Sequence, residues 1–324
     1  MGRLYKGLDK TEDEEEVQLF TEVQPADGPV IVWLKKKTIP GFDGHSIYDV
    51  GKYFLRSLFR ENLNLRASSL SFNFFLSLFP SLIFILTLIA ALPVKGLKTR
   101  LIQELRLLLP ESTWKEVSGT IYELLTHQNS GLLSFGFVLA LYFASNAFHS
   151  LINSFNRRLP EKRRHNWVQN RLRAFGLTFL VGFMVILTLL LLTWLFQFNM
   201  FITRRHWPGM GIWTFTLGFI EYILIIGLIF TAISSFYHFG PAHQFKWRFI
   251  SPGSIFASTL SIVSTYSFGL YVNNFNAYNK IYGSIGAIIA LMVLIYINCL
   301  VVIVGFDLNT SIDKARMSKT RIQE

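Results

Sequence analysis

Charge is what this sequence has least of. Of 324 residues only 16% are Asp, Glu, Lys or Arg, where a soluble domain carries about 25%, and the shortfall is concentrated in long uncharged stretches. Cysteine appears once, at Cys299, so no internal disulfide can form and a small apolar packing role is its default. Chemistry-bearing motifs are missing as well. There is no His-x-Glu-x-x-His, no cysteine pair, no phosphate-cradling glycine loop ending in Lys-Ser/Thr, and no Gly-x-Ser-x-Gly. That removes ATP-driven transport by this chain alone and the common hydrolase nucleophiles. The seven histidines (45, 127, 149, 165, 206, 238, 243) are scattered, and Gly240-Pro241 interrupts any helical ligand spacing between the last two. No metal, no cofactor and no enzymatic activity are expected. Residues 1–30 hold no apolar h-region, so insertion is expected to use the first membrane helix as an uncleaved signal.

What the chain does have is apolar length: 51% of it is hydrophobic and 15% aromatic. A bilayer core of about 30 Å takes roughly 20 helical residues, and runs of that size recur. They predict an all-α polytopic membrane protein, a bundle of six transmembrane helices at about 68–92, 132–155, 174–200, 212–237, 252–272 and 282–306. The last run is the one the others are expected to pack around. Residues 1–44 read as a flexible cytoplasmic tail with a short strand-like stretch at 30–34, residues 45–312 as the membrane domain, and 313–324 as a second cytoplasmic tail. Ser46 and Asp49 form a capping-box pattern that opens an N-terminal amphipathic helix, apolar at Ile47, Val50, Phe54 and Leu58 and basic at Lys52, Arg56 and Arg60. It fits the membrane surface, or equally a place against the ends of its own bundle. Between the first two spans, Leu97, Leu101, Leu105 and Leu108, then Val117, Ile121 and Leu124, predict two short helices in a helical outer loop. The net charge of +11 sits in the segments flanking the spans. A bias of about two to one puts both termini in the cytoplasm, against anionic lipid rather than nucleic acid.

Polar groups at membrane depth are tolerated only when paired or wetted, so those inside the spans are the candidate site. Asn73 and Ser77 precede Pro80, where a kink is expected because proline lacks the N–H and crowds the carbonyl of Leu76. Ser145, His149 and Asn153 form one stripe, with Asn146 beside it; interhelical hydrogen bonding is the plainer reading of these. The fifth span carries Ser261, Thr265 and Tyr266 in a polar row. Glu221 is the lone carboxylate inside a span, either a proton or headgroup site or a partner of Arg204 or Arg205. The expectation is that these residues converge on one interior, water-accessible cavity. Gly283, Ala287 and Ala290 share a face at i, i+4 and i+7, which predicts close helix packing.

Four stretches carry a resemblance. They are Arg66-Ala67-x-x-Leu70 with Ser77-Leu78-Phe79-Pro80; the Ala-Ser-Asn-Ala-Phe of 144–148; Pro252-Gly253; and Tyr278-x-x-x-Tyr282-Gly283-x-x-Gly286, followed by Tyr296 and Gly305-x-x-Leu308-Asn309. In this order they resemble the YihY/BrkB family of bacterial multi-pass membrane proteins, some once labelled ribonuclease BN. The likeness covers roughly residues 47–312. Where the family usually ends in Gly-Ala-Glu-Leu-Asn, this chain reads Gly-Phe-Asp-Leu-Asn, which keeps the carboxylate and shortens it. The resemblance implies an inner-membrane protein of the bacterial envelope. With the polar spans as a path, the expected function is non-enzymatic handling or movement of lipid or lipid-like amphiphiles. The partners would be a membrane phospholipid or glycolipid and other envelope proteins, and no nucleic acid. The rival expectation is a structural or assembly component that anchors envelope proteins and transports nothing. Ribonuclease activity is not expected, because RNA cleavage needs a metal cluster or a paired acid and base in a wet pocket.

Overall fold

The computed structural model describes residues 29–39, 41–42, 44–60, 62–91, 98–99, 102–103, 106, 111–126, 130–157, 166–204, 210–242, 249–274 and 276–323. The named helices are α1 (Pro29–Lys36), α2 (Ile47–Arg60), α3 (Leu63–Ala91), α4 (Glu111–Thr126), α5 (Ser130–Asn156), α6 (Trp167–Arg204), α7 (Met210–Phe239), α8 (Pro252–Asn274) and α9 (Asn276–Gln323). By its contacts the chain divides into two units, residues 1–56 with 311–324, and residues 57–310.

In the first unit, residues 30–34 are helical, not strand-like, and the tail expected to be flexible across 1–44 carries α1. A lone strand would leave its N–H and C=O groups unpaired, whereas a helix closes them on itself, and Pro29 is suited to the first turn. The Lys37 ammonium lies 4.5 Å over the Trp33 ring. An antiparallel bridge then joins Thr38 to Ser46 around a turn in which Gly41 (φ 99°) and Gly44 (φ 80°) occupy the left-handed region. The capping box opens α2 as expected: Ser46 Oγ accepts from Asp49 N–H at 3.1 Å and donates to Asp49 Oδ2 at 2.7 Å. Along α2, Val50 is buried while Lys52, Leu55 and Phe59 are exposed.

The second unit is a helical bundle. Five helices are long and apolar enough to cross a membrane among the described residues: Leu63–Thr87, Leu133–Asn156, Trp167–Thr203, Gly211–Phe239 and Ile288–Arg316. α8, expected as a span, is not one of them. Its 23 residues would reach about 34 Å. α3 runs unbroken through Pro80. Around that proline, the hydroxyls of Ser77 and Ser81 donate back to the carbonyls of Phe74 and Ser77 at 2.6 and 2.7 Å. α5 packs on α3 and on α6, α7 packs on α6 and α8, and α4 lies against α3. Of the expected outer-loop helices, the second is α4, and the first falls largely outside the described residues.

Packing is dense at one end of this unit, where α3, α6 and α8 begin and α5 and α7 finish. The core there joins Ala67, Leu70, Phe155, Ala174, Tyr237, Ala257 and Phe306. Phe155 stacks on Phe306 at 4.1 Å, and Tyr237 O–H donates to the Val302 carbonyl at 2.7 Å. α9 approaches α8 through glycine. A Cβ on Gly253 would collide with the Gly305 carbonyl and stand 2.6 Å from Asn309 Oδ1; one on Gly305 would lie 2.6 Å from Ala257 Cβ. The side chains of Gly283 and Ala287, expected to make the close contact, lie outside the described residues, and Ala290 is half-buried.

The same end buries a charge pair. Arg66 Nη1 lies 3.6 Å from Asp307 Oδ2, with 4% and 0% of the two side chains exposed. Arg66 also donates from Nε to Ser154 Oγ (3.1 Å) and from Nη2 to the Ser154 carbonyl (2.9 Å). Two residues on from Asp307, Asn309 Oδ1 accepts the Gly253 N–H at 2.7 Å and its amide donates to Ser251 Oγ at 2.8 Å. Ser251 and Ser254 each accept the other's backbone N–H, at 3.2 and 3.0 Å, so the orphan donors of the α8 N-terminus are met.

Two outcomes follow for thermal unfolding in detergent. Removing one partner, as Arg66→Met or Asp307→Leu, leaves a buried charge and should cost about 3–5 kcal/mol. Gly253→Ala should destabilise, whereas Gly176→Ala, where a Cβ meets open space, should be neutral or slightly stabilising. Equal effects of the two alanines would show that no close helix contact exists.

Candidate functional site

Beside the buried charge pair, α3 and α5 part around a cavity of about 390 Å³ lined by Arg66, Ser69, Asn73, Asn146, His149, Asn153 and Arg157, with Leu65, Ser150 and Ser154 completing the wall. From Asn146 to Arg157 the helix rises about 16 Å at ~1.5 Å per residue, so the cavity is polar over a substantial part of a span's length. It opens to the exterior, because Leu65, Ser69 and Arg157 are exposed. Apolar exposed side chains stand near it on the neighbouring helix α6, with Trp167 at 68%, Val168 at 67% and Leu172 at 72%.

The wall is ordered by side-chain amides. Asn73 donates to the Ser69 carbonyl at 2.8 Å and accepts from Asn146 Nδ2 at 3.1 Å. Asn146 Oδ1 in turn accepts from Arg171 Nη1 at 3.2 Å. The Arg171 guanidinium is held from α6 by two rings, 5.3 Å from the centre of Tyr142 and 5.2 Å from that of Phe175. Lower on α5, Asn153 Nδ2 meets His149 Nδ1 at 3.2 Å. An amide nitrogen only donates, so Nδ1 accepts and the histidine proton belongs on Nε2. That Nε2 is buried and has no hydrogen-bond partner. Trp167 packs edge-on to the same imidazole, ring centres 6.3 Å apart.

Four of the residues singled out from sequence thus line one cavity: Asn73, Asn146, His149 and Asn153. The others do not, which corrects the expectation of a single convergence. Ser77 satisfies its hydroxyl on its own helix. Ser145, buried on the stripe, donates to the Tyr142 carbonyl at 3.0 Å. Ser261 pairs with Asn298 Oδ1, whose amide donates to Thr265 Oγ1 at 3.2 Å and to the Leu294 carbonyl at 3.0 Å. This second polar set zips α8 to α9. Tyr266 is 70% exposed. Glu221 is half-buried on α7, whose described contacts are with α6 and α8, and it is not among the cavity's lining residues. Two things decide these fates: Glu221, Ser261, Thr265 and Tyr266 sit on helices that do not line the cavity, and Ser77 and Ser145 sit on lining helices but are not among the lining residues. Among the described residues no group of three or more His, Cys, Asp or Glu is placed to hold a metal ion.

Comparison with known proteins bears on the class of the molecule. The profile of the family described as Virulence factor BrkB matches residues 54–324. The chain belongs to this family. It is 31% identical over 273 residues to the Bacillus subtilis protein named "Putative ribonuclease-like protein YfkH", covering 81% of this chain and 96% of that one. It is 25% identical over 264 residues to a UPF0761 membrane protein of Delftia acidovorans, covering 78% of this chain and 59% of that longer one. A UPF0761 membrane protein of Idiomarina loihiensis is 30% identical over 109 residues, 34% of this chain and 37% of its own length. No solved structure matches.

Membership in the BrkB family, a family of membrane proteins, gives the motifs a physical meaning. Arg66, Gly253, Gly305, Asp307 and Asn309 are the ion pair, the glycine contact and the helix cap at one end of the bundle. Sequence reasoning missed that pairing and missed Asn298. The signal was available for both: an amide inside an otherwise apolar run demands a partner, and so do an arginine and an aspartate at the edges of two spans.

The two polar sets should be energetically separate. In a double-mutant cycle on detergent-solubilised protein, Asn73→Ala and Asn146→Ala should couple by about 0.6 kcal/mol, typical of hydrogen bonds between membrane helices. Asn146→Ala and Ser261→Ala should not couple. Coupling of the second pair equal to the first would join the two sets into one network.

Proposed function

We propose that this chain is a six-span protein of the bacterial inner membrane that binds and moves lipid or lipid-like amphiphiles without bond chemistry. The observation that carries the reading is the cavity between α3 and α5: polar along its wall, open to the exterior, and set within apolar spans beside exposed aromatic and aliphatic side chains. A headgroup fits the amide-lined space, and acyl chains fit the surface outside it. The ordinary stability role of interhelical hydrogen bonds accounts for Asn298 with Ser261 and Thr265, but a dry bundle needs no cavity. α8 counts as the sixth span, since Gly253, Ala257 and the hydroxyls of Ser261 and Thr265 are met by α9 rather than by lipid. Both termini are cytoplasmic on the charge bias of the flanking segments.

Topology is checked with single cysteines in a Cys299→Ser background. Cysteines at Lys162 and Lys246 should label from the cytoplasmic face, and those at Lys115 and Lys280 from the other. Labelling of Lys246 and Lys280 positions from one face would remove α8 from the spans.

Movement is checked in vesicles reconstituted with the protein and a trace of fluorescent phospholipid, read by a membrane-impermeant quencher. The protein should accelerate exchange between leaflets, Ser69→Trp should abolish the acceleration by filling the cavity, and Glu221→Gln should leave it intact. No acceleration over protein-free vesicles, with folded protein recovered, would favour the assembly role instead.

A further inference from the structure

The cavity has a charge character that the amphiphile reading does not use. No carboxylate is among its described lining residues, while Arg66, Arg157 and His149 are. Arg66 is already committed, to Asp307 and Ser154. Arg157 lines the cavity at its exposed mouth, and Arg171 adds a cation behind the wall, bonded to the lining residue Asn146. The polar lining otherwise consists of hydroxyls and carboxamides: Ser69, Asn73, Ser150 and Asn153 supply further donors. The unpartnered, buried Nε2–H of His149 is the most telling of these, because a buried donor without an acceptor costs free energy until one arrives.

Acceptor-rich anions answer this demand. A phosphate group presents several strongly accepting oxygens and a negative charge, and guanidinium–phosphate bonds are among the stronger charge-assisted hydrogen bonds. A neutral hydroxyl or sugar headgroup would meet the donors without drawing on the positive charge of the wall. A positively charged headgroup group would be repelled. The rings of Tyr142 and Phe175 fix Arg171 in direction, so less side-chain freedom is lost when an anion binds.

We propose that the cavity between α3 and α5 is a binding site for a phosphate group, held by His149 Nε2–H, Arg157, Arg171 and the neighbouring amides and hydroxyls, with Arg66–Asp307 as its rigid floor. This rests on the amphiphile reading only for the source of the phosphate, a lipid headgroup or a free anion. His149 and Arg171 act together: the first donates from α5 and the second from α6, so the site reads the tetrahedral anion from two helices. Asn146 lines the cavity itself and also positions Arg171 by accepting its N–H.

The test uses full-length protein in a phosphate-free sugar-detergent micelle, titrated calorimetrically with three probes. These are short-chain phosphatidic acid, the matched short-chain diacylglycerol and inorganic phosphate. Phosphatidic acid should bind and diacylglycerol should not, and inorganic phosphate should fail to compete at equal concentration. Phosphate binding or competing as well as the lipid, with diacylglycerol silent, supports the phosphate site and overturns the amphiphile reading. Diacylglycerol binding as tightly as phosphatidic acid overturns the phosphate site and leaves the amphiphile reading standing. Silence of all three overturns both. Charge is separated from shape at Ser69, an exposed wall position. Ser69→Asp should weaken phosphatidic acid about tenfold or more by placing a like charge beside the anion, while Ser69→Asn, of nearly the same size, should change it little. Equal losses from the two would show that the site measures size and not charge, and the inference would fall. His149→Phe should weaken binding with the melting temperature of the unliganded protein preserved; unchanged binding would also overturn it.

Discussion

A pair of buried charges sets the terms for the rest of this bundle. Arg66 and Asp307 lie on the first and last long apolar helices, almost wholly removed from solvent. Neither charge is tolerable alone in a low-dielectric interior, so the two helices are held in one register at that end. Ser154 takes the remaining arginine donors and brings α5 into the same knot. The pair is satisfied only when α3, α5 and α9 are all in place, so it specifies an arrangement as well as contributing to stability.

The other contacts at this end depend on that register. Gly253 and Gly305 permit α8 and α9 to approach backbone to backbone, which brings Asn309 within reach of the α8 N-terminus. Phe306, one residue from Asp307, is thereby stacked on Phe155 and edge-on to Tyr237. Away from the knot the helices are joined by smaller contacts, the Ser261–Asn298–Thr265 set and a cluster of Leu195, Ile202 and Leu217, and large side chains such as Phe183, Leu190, Trp194 and Phe215 face outward. In water that surface would not persist; in lipid it costs nothing, since hydrocarbon surrounds it either way.

The cavity owes its position to the same knot. Arg66 forms part of its wall from one face while pairing with Asp307 from the other. The amide chain Asn73–Asn146–Arg171 continues the wall from α3 across α5 to α6. A rigid floor with a donor-rich wall is preorganised: the polar groups are already turned inward before any ligand arrives.

Sequence alone determined the class of molecule. Twenty-residue stretches without charge admit only helices in a bilayer, because a lipid-exposed backbone must bond to itself, and the capping box of α2 and the polar stripe of α5 were legible in local spacing. The residues of four motifs also announced the BrkB family. What sequence left open was which polar groups meet. Asn73, Asn146, His149 and Asn153 came together because their turns face one another across α3 and α5, while Glu221 lies farther from the knot on α7, Tyr266 is exposed, and Ser261 and Thr265 turn to Asn298. Helical periodicity fixes which residues on one helix share a face, but the rotation of that helix about its axis is set by its neighbours. Here those neighbours are the glycine contact and the buried ion pair, whose members are 241 positions apart in the chain, so only the tertiary structure could decide the site.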